Sequence, residues 1–240
     1  MTAAAERIAW AADVPIDEAL RLWPVLRPYV GVVKVGLSLF VEHGPAAVRA
    51  FRSAGAAVFL DLKLHDIPNT VEAAATGAGA LGVAYLTVHA SGGAEMLRAA
   101  SRGAARGAEK SGVSAPRILA VTALTSLEDG EVSALGLGGS AAEMAERLAA
   151  VAVGAGIGGL VCSAREVPAL LARHPGVFLC TPGIRPAGAA VGDQARVETP
   201  AAAIATGSSL LVVGRPIHGA TDPAGAAKAL HDEVAAALGR

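Results

Sequence analysis

Aromatic residues, charged residues and long apolar runs are all scarce in this chain. Of its 240 residues, 3% are aromatic and 17% are charged, and the formal net charge is −1. Nucleic acid is not expected as a partner, because neither a basic stripe nor a set of stacking side chains is present. Every apolar stretch of appreciable length is broken by Gly, Ser, Thr or a charge, so we expect no membrane segment.

Cysteine is also scarce. Cys162 and Cys180 are the two cysteines, and each lies in an apolar, strand-like run. Two cysteines do not make a disulfide framework, so we expect both to be reduced residues of the core. Reduced cysteines are typical of the cytoplasm, which is the location that the sequence predicts.

Aliphatic residues dominate the rest of the composition, and they come in short runs. Hydrophobic residues make up 53% of the chain, enough for a single domain over residues 1–240, and no linker divides it. The runs are nearly continuous rather than alternating, as is typical of parallel strands covered on both faces. The predicted strands are Ile8–Val14, Val32–Gly36, Ala57–Lys63, Tyr85–Ala90, Ile118–Leu124, Gly159–Ser163, Val177–Thr181 and Leu210–Gly214.

Stretches of helix-forming composition separate these runs, at Pro45–Ala54, Val71–Leu81, Ala94–Glu109, Ala141–Gly154, Ala164–Arg173, Pro200–Thr206 and Pro223–Leu238. This alternation predicts an α/β fold, a single-domain (β/α)8 TIM barrel, with a doubly wound open sheet as the alternative. Ala187–Ala195 lacks an apolar period and is predicted to be a mobile loop. Gly154–Gly159 matches G-x-G-x-x-G, but it precedes a strand, so we expect a helix C-cap and turn there rather than a dinucleotide site.

The most densely charged segment runs from Asp61 to Thr70. Because side chains alternate along a strand, Asp61 and Lys63 are expected to share a face at the end of the third strand. Charges there are costly to bury unless they are paired, and the carboxylate would keep the lysine cationic and in place. Pro68 ends the segment and Asn69 suits a turn, which puts Asp66 on a loop.

Further polar residues lie at or near the ends of predicted strands, where barrels of this type carry their active sites. Taken singly, such residues also have structural explanations: Asp13 could be a helix cap, His89 a core histidine, and Arg215 a partner in an ion pair. Their convergence on one rim favours an active site instead. The full set is Asp13, Lys34, Asp61, Lys63, His89, Thr125, Arg185 and Arg215.

Glycine and arginine follow both the seventh and the eighth predicted strand, in Thr181–Pro186 and Val213–Ile217. Loops at these two positions of a barrel often bind phosphate through backbone N–H groups and a cation. The arginine fork matches phosphate oxygens. A phosphorylated small molecule is therefore favoured as the substrate.

The Asp61–Thr70 segment, with its order of charges and its Ile-Pro-Asn-Thr ending, resembles the signature of the orotidine 5′-phosphate decarboxylase family. The similarity spans essentially the whole chain, although Ala12 stands before Asp13 where members commonly have leucine, which is a packing change. The resemblance implies cofactor-free and metal-free decarboxylation of orotidine 5′-phosphate to UMP in de novo pyrimidine biosynthesis. The matching segments also include Val33–Gly36, Val88–Gly93, Val121–Ser126, Thr181–Pro186, Gly192–Gln194 and Val213–Pro216.

The resemblance also implies a role for each matching residue. The catalytic charge network would consist of Lys34, Asp61, Lys63 and Asp66, with Lys63 as the proton donor. Three residues would reach into the site of a second subunit, making the active unit a homodimer: Asp66, Ile67 and Thr70. The ribose hydroxyls would contact Asp13 and Lys34, and the pyrimidine edge Thr125 or Ser126. The phosphate would be held by Arg185, Gln194, Gly214 and Arg215, with Gln194 on a loop that closes over it.

Simple chemistry agrees with these roles. Decarboxylation leaves a carbanion at C6 of the pyrimidine, and without a cofactor the charge must be stabilised by groups already in place. Asp61 would disfavour the substrate carboxylate in the ground state, and Lys63 would stabilise the developing charge and protonate it. Phosphate binding far from C6 would drive loop closure.

Two other functions remain open at this point. A metal-dependent sugar-phosphate lyase or decarboxylase on the same barrel uses a similar Asp-x-Lys-x-x-Asp pattern, but it needs an acidic ligand where this chain offers Lys34. His65, between the carboxylates, is expected to make a structural hydrogen bond rather than to bind a metal. A non-catalytic barrel that binds a nucleotide or phosphate would have no reason to keep such costly buried charges.

Overall fold

Eight parallel strands close into a barrel in chain order, and the first strand pairs with the eighth. The structure, a computed structural model, describes residues 2–136, 138–186 and 198–239. The predicted (β/α)8 barrel is confirmed. The alternative, an open sheet, is wrong, because the first and last strands of an open sheet would be unpaired edges, whereas here they pair with each other. The loop predicted at Ala187–Ala195, including Gln194, lies outside the described residues.

All eight predicted strands form, most of them shorter by one to three residues than their apolar runs. Most of the apolar runs are longer than the strands because the loop residues that follow the strands are themselves apolar at several positions. The strands are β1 (Ile8–Ala11), β2 (Val32–Val35), β3 (Ala57–Leu64), β4 (Tyr85–His89), β5 (Arg117–Val121), β6 (Gly159–Val161), β7 (Phe178–Thr181) and β8 (Leu210–Val213).

The seven predicted helices also form, and four more accompany them in the described part of the chain. None of the described helices is long and apolar enough to cross a membrane. The helices are α1 (Ile16–Leu26), α2 (Leu37–His43), α3 (Pro45–Ser53), α4 (Pro68–Ala80), α5 (Gly93–Lys110), α6 (Asp129–Ala134), α7 (Ala141–Gly154), α8 (Val167–Arg173), α9 (Pro200–Ala205), α10 (Arg215–His218) and α11 (Pro223–Ala237). The four additional helices, α1, α2, α6 and α10, lack the alanine-rich composition on which the seven predictions rested.

The start of α4 corrects one prediction. Pro68 is the first residue of this helix, and Asn69 lies within it rather than in a turn. Proline is well suited to the first helical position, because its fixed φ matches the helix and its missing N–H would have no partner there. Asp66 lies in the short loop between β3 and α4, as predicted.

Helices α4 and α5 pack so closely that glycine is required at their contact. A Cβ atom on Gly79 would collide with the carbonyl oxygen of Ala104, and one on Gly103 with that of Glu72. Arg102 and Arg106 then pair with Glu72 across the same contact. This close packing fixes the direction of α4, and with it the position of the loop that holds Asp66.

Aromatic rings fill the barrel beneath the site. Phe59 contacts Tyr85 edge-on at 5.8 Å between ring centroids, and Tyr85 stacks on Phe178 at 5.7 Å. Arg117, at the first position of β5, covers the Phe178 ring at 4.6 Å. The amino-terminal half of the barrel is therefore closed by side chains, which leaves the carboxyl ends of the strands for chemistry.

Candidate active site

An irregularity in β3 shapes the site. Leu60 pairs with Leu86 of β4, but the next pair joins Leu64 to Val88, so residues 61–63 lie opposite Thr87 alone. Bulges of this kind re-aim side chains and are common beside active sites. Lys63 has a φ of 50°, and it is the one non-glycine residue with positive φ in the described part of the chain. Such a conformation costs about 1–3 kcal/mol and persists only where its surroundings hold it.

Asp61, which is itself buried, lies at the centre of a network of opposite charges. Lys63 Nζ is 2.9 Å from both Oδ1 and Oδ2 of Asp61, and Lys34 Nζ is 3.5 Å from Oδ2. Lys34 also reaches Oδ1 of Asp13 at 3.5 Å. The pairing predicted for Asp61 and Lys63 is confirmed, and Asp13 contacts a charge of this network rather than capping α1, whose N-cap is Pro15.

The network keeps Asp61 ionised. Burial by itself raises the pKa of this carboxyl, because it removes water from the charged form. The positive charges of Lys34 and Lys63, with hydrogen bonds from Lys63 and Thr87, outweigh that effect and hold the pKa below its usual value. The site thus presents a fixed negative charge between two ammonium groups.

The network forms one wall of a cavity of about 410 Å³ at the carboxyl ends of the strands. A cavity of this size suits a small organic ligand. Apolar side chains of β5, β6 and β7 form much of the opposite wall, together with Thr125. Thr125 lies in a turn four residues beyond β5 rather than at the end of the strand, and Ser126, the alternative, is exposed and does not line the cavity.

The cationic side of the cavity comes from the loops after β7 and β8. Arg185, Gly214 and Arg215 all line it. The Nε atom of Arg185 is buried and has no hydrogen-bond partner within the described ranges. Burial and the neighbouring charge of Arg215 both lower the pKa of Arg185. Arg215 begins α10 instead of ending β8, because Pro216 at the second helical position favours a helix start.

Besides Ser126 and His89, three further predicted site residues do not line the cavity of their own chain. Asp66, Ile67 and Thr70 are all exposed, and the Ile67 side chain is 67% accessible to solvent. The Asp66 carboxylate accepts a hydrogen bond from the backbone N–H of Ile67.

Two residues of the site were missed by sequence reasoning. Thr87, which is 1% exposed, contacts both Asp61 and Lys63. The sequence did contain a signal for Thr87. It lies two residues before His89 on β4, and because side chains alternate along a strand, both residues are expected to point into the barrel. His218 lines the cavity and accepts a hydrogen bond from Trp10 Nε1 at 3.4 Å, and burial lowers its pKa. No pattern in the sequence marks it.

His65, which lies within the Asp61–Thr70 segment, and His89, at the end of β4, are close to each other. The rings of His65 and His89 are 5.4 Å apart, and burial, followed by the charge of His65, lowers the pKa of His89. His65 makes no hydrogen bond to another described residue, so the structural bond expected of it is not found. Across the described ranges, no three His, Cys, Asp or Glu side chains are grouped as metal ligands.

These features define a class: a (β/α)8-barrel protein with a lysine–aspartate–lysine network at one side of its cavity and two arginines at the other. Comparison with known proteins then identifies the family. The model of the "Orotidine 5'-phosphate decarboxylase / HUMPS family" matches residues 6–230, and the chain belongs to this family.

Three similar proteins all carry the name orotidine 5'-phosphate decarboxylase. The chain is 55% identical over 227 residues to the orotidine 5'-phosphate decarboxylase of Anaeromyxobacter sp. (strain K), covering 94% of this chain and 96% of that one. It is 50% identical to the enzyme of that name from Thermobifida fusca, covering 95% of both chains. The crystal structure of orotidine 5'-phosphate decarboxylase from Lactobacillus acidophilus is 37% identical, with a TM-score of 0.80 over 95% of this chain and 99% of that one.

Proposed function

We propose that this protein decarboxylates orotidine 5′-phosphate to UMP, the last reaction of de novo pyrimidine nucleotide synthesis. The observation that carries the proposal is the Lys34–Asp61–Lys63 network, which faces the same cavity as Arg185 and Arg215. A cavity with a charged network on one side and cations on the other matches a substrate that reacts at its base and carries a phosphate. Family membership and relatives at 50–55% identity support the same reaction.

Lys63 is the proposed proton donor. Its ammonium group is fixed against both oxygens of Asp61, so it needs no rearrangement to stabilise negative charge as it develops on C6. Loss of carbon dioxide leaves the electron pair on C6, and transfer of a proton from Nζ to that carbon gives UMP. Asp61, ionised throughout, disfavours the bound carboxylate and holds the lysine in place.

Substrate binding is assigned to the rest of the cavity. We assign the ribose hydroxyls to Lys34 and Asp13; the 3.5 Å ion pair between these two side chains supports the assignment. Thr125, which lines the cavity, is preferred to Ser126 as the contact to the pyrimidine edge. The phosphate is assigned to Arg185, Gly214 and Arg215, and to Gln194 by resemblance alone. The buried Nε of Arg185 supports this assignment, because an anion would supply its hydrogen-bond acceptor.

The active unit is proposed to be a homodimer in which Asp66, Ile67 and Thr70 complete the partner's site. Support comes from the exposure of all three residues and from their absence from the cavity lining of their own chain. Two further large apolar residues, both on α2, are exposed: Leu37 at 53% and Val41 at 82%. Burying these side chains against a second copy would stabilise the assembly.

A cofactor-free reaction is favoured over a metal-dependent one by the position of Lys34. Its ammonium group occupies the place beside Asp61 where a divalent cation would need an oxygen ligand. A cytoplasmic location and a single domain over residues 1–240 are proposed as well. Both cysteines are free and buried, which supports the first, and one closed barrel built from β1 to β8 supports the second.

The reaction is tested by adding orotidine 5′-phosphate to purified protein and following the orotate-type ultraviolet absorbance. We expect the absorbance to fall, with UMP as the product by mass spectrometry. A constant absorbance would rule out the proposed reaction and favour a barrel that only binds the nucleotide. Loss of activity with a chelator, restored by Mg²⁺, would favour the metal-dependent reaction.

A further inference from the structure

We propose that Thr87 is a positioning residue that holds both the carboxylate of Asp61 and the backbone of Lys63 in their reactive arrangement. This inference rests on the proposed decarboxylation, for which it adds a residue outside the set assigned from sequence. Thr87 lies on β4 and is 1% exposed, and it does not line the cavity. It therefore acts through its neighbours and not on the substrate.

The bulge in β3 creates the need for such a residue. Because residues 61–63 face only Thr87, the regular ladder of backbone hydrogen bonds between β3 and β4 is interrupted there. A backbone N–H buried without an acceptor is strongly disfavoured. The hydroxyl of Thr87 accepts the N–H of Lys63 at 2.9 Å and so replaces the missing strand carbonyl.

The same hydroxyl also binds Asp61, and the direction of that bond is fixed. Thr87 Oγ1 is 2.9 Å from Oδ1 of Asp61. An ionised carboxylate can only accept, and a hydroxyl has a single proton to donate. Since Lys63 N–H already donates to the hydroxyl oxygen, the proton of Thr87 points to Asp61. One side chain thus links the backbone of the lysine to the carboxylate that contacts its ammonium group.

The unusual backbone of Lys63 makes this link important. With a φ of 50°, Lys63 is in the left-handed region that a lysine rarely adopts. The direction of the Lys63 side chain depends on this φ, and in the observed conformation Nζ is 2.9 Å from both oxygens of Asp61. The hydrogen bond from Lys63 N–H to Thr87 opposes relaxation to negative φ, because the bond would be lost when the peptide turned.

The test compares Thr87→Val, which keeps the shape but removes the hydroxyl, with Thr87→Ser, which keeps the hydroxyl. For Thr87→Val we expect kcat for orotidine 5′-phosphate to fall by about 10- to 100-fold, as is usual when a catalytic group is displaced by about 1 Å, with KM and UMP affinity changed less than about threefold. Thr87→Ser is expected to keep kcat within about threefold of the wild type. Thr76→Val, which removes a partly buried hydroxyl from α4, is the matched control and should leave kcat unchanged.

The outcomes separate this inference from the proposed reaction. If the wild type does not turn over the substrate, the proposed reaction is wrong. If the wild type is active and Thr87→Val has the same kcat, or if Thr87→Ser loses as much activity as Thr87→Val, the positioning role is wrong. Should Thr87→Val fail to fold by circular dichroism, Thr87→Ala is compared with Thr87→Ser, because those two differ only in the hydroxyl. Equal kcat in that pair also overturns the inference.

Discussion

Lys63 Nζ lies 2.9 Å from both carboxylate oxygens of Asp61, while the Lys63 backbone adopts a φ of 50°. The two observations concern one residue, because the direction of the Lys63 side chain depends on its backbone φ. Strain of this kind concentrates at functional sites. The contact is therefore built into the fold, and a substrate finds the charge pair already formed.

Lys63→Ala should nearly abolish turnover while UMP still binds. Removing a general acid lowers the rate by about 10²- to 10⁴-fold, and here the transition-state charge loses its partner as well. Turnover is followed by absorbance and UMP binding by calorimetry. Lys110→Ala, which removes an exposed lysine at the end of α5, is the control and should behave as the wild type. Near-wild-type turnover by Lys63→Ala would show that another group delivers the proton.

Arg215→Ala should mainly weaken substrate binding. Loss of a hydrogen bond between charged groups costs about 1.5–3 kcal/mol, which corresponds to a rise in KM of about 10- to 150-fold. The same variant should act on orotidine, which lacks the phosphate, as slowly as the wild type does. An unchanged KM for orotidine 5′-phosphate rejects the phosphate role. A matching loss with orotidine would instead assign Arg215 to another part of the substrate.

Asp61→Asn should destabilise the protein at neutral pH, in a pH-dependent way. Removing one partner of a buried ion pair costs about 3 kcal/mol, and here two ammonium groups lose their counter-charge. The folded state lowers the pKa of Asp61 below its ordinary value of 3.8. Its contribution to the free energy of unfolding is therefore fully present above pH 3.8 and is lost as the pH falls through the lower, folded-state pKa.

Urea unfolding of the wild type and Asp61→Asn at several pH values between 7 and 3 measures this difference. We expect the difference between the two free energies of unfolding to be constant above pH 3.8 and to shrink only below it, so the series is extended to pH 2. A difference that does not shrink below pH 3.8 would mean that the aspartate charge does not stabilise the fold.

Asp66 is predicted to act in the partner's site, which a hybrid dimer can test. Lys63→Ala and Asp66→Asn subunits, each with a different affinity tag, are co-expressed, and the mixed dimer is isolated through both tags. In the hybrid, one site combines an intact Lys63 with an intact Asp66 from the other chain, so about half of the wild-type activity should return. Both parent homodimers serve as inactive controls. A hybrid as inactive as its parents would place Asp66 in its own subunit's site.

The periodic pattern of the sequence was sufficient to predict the barrel. Short apolar runs that alternate with helix-forming segments allow few arrangements, because parallel strands need helices on the outside and a closed sheet leaves no edge. The order of charges from Asp61 to Asp66 and the Gly-Arg loops after β7 and β8 likewise marked the site. Helices α1, α2, α6 and α10 were not predicted, since their segments lack the alanine-rich composition by which the other helices, including the short α8 and α9, were recognised.

What only the tertiary structure decided is how the charges meet. Alternation placed Asp61 and Lys63 on one face, but the bulge opposite Thr87 and the positive φ of Lys63 depend on the pairing of β3 with β4. The contact from Lys34 to Asp61 joins neighbouring strands 27 residues apart in sequence, and His218 enters the site from beyond β8. The sequence by itself determined which chemical groups are present and at which end of the barrel they lie. Their distances were set by closure of the sheet, because strand register is a property of the packed barrel and not of any one segment.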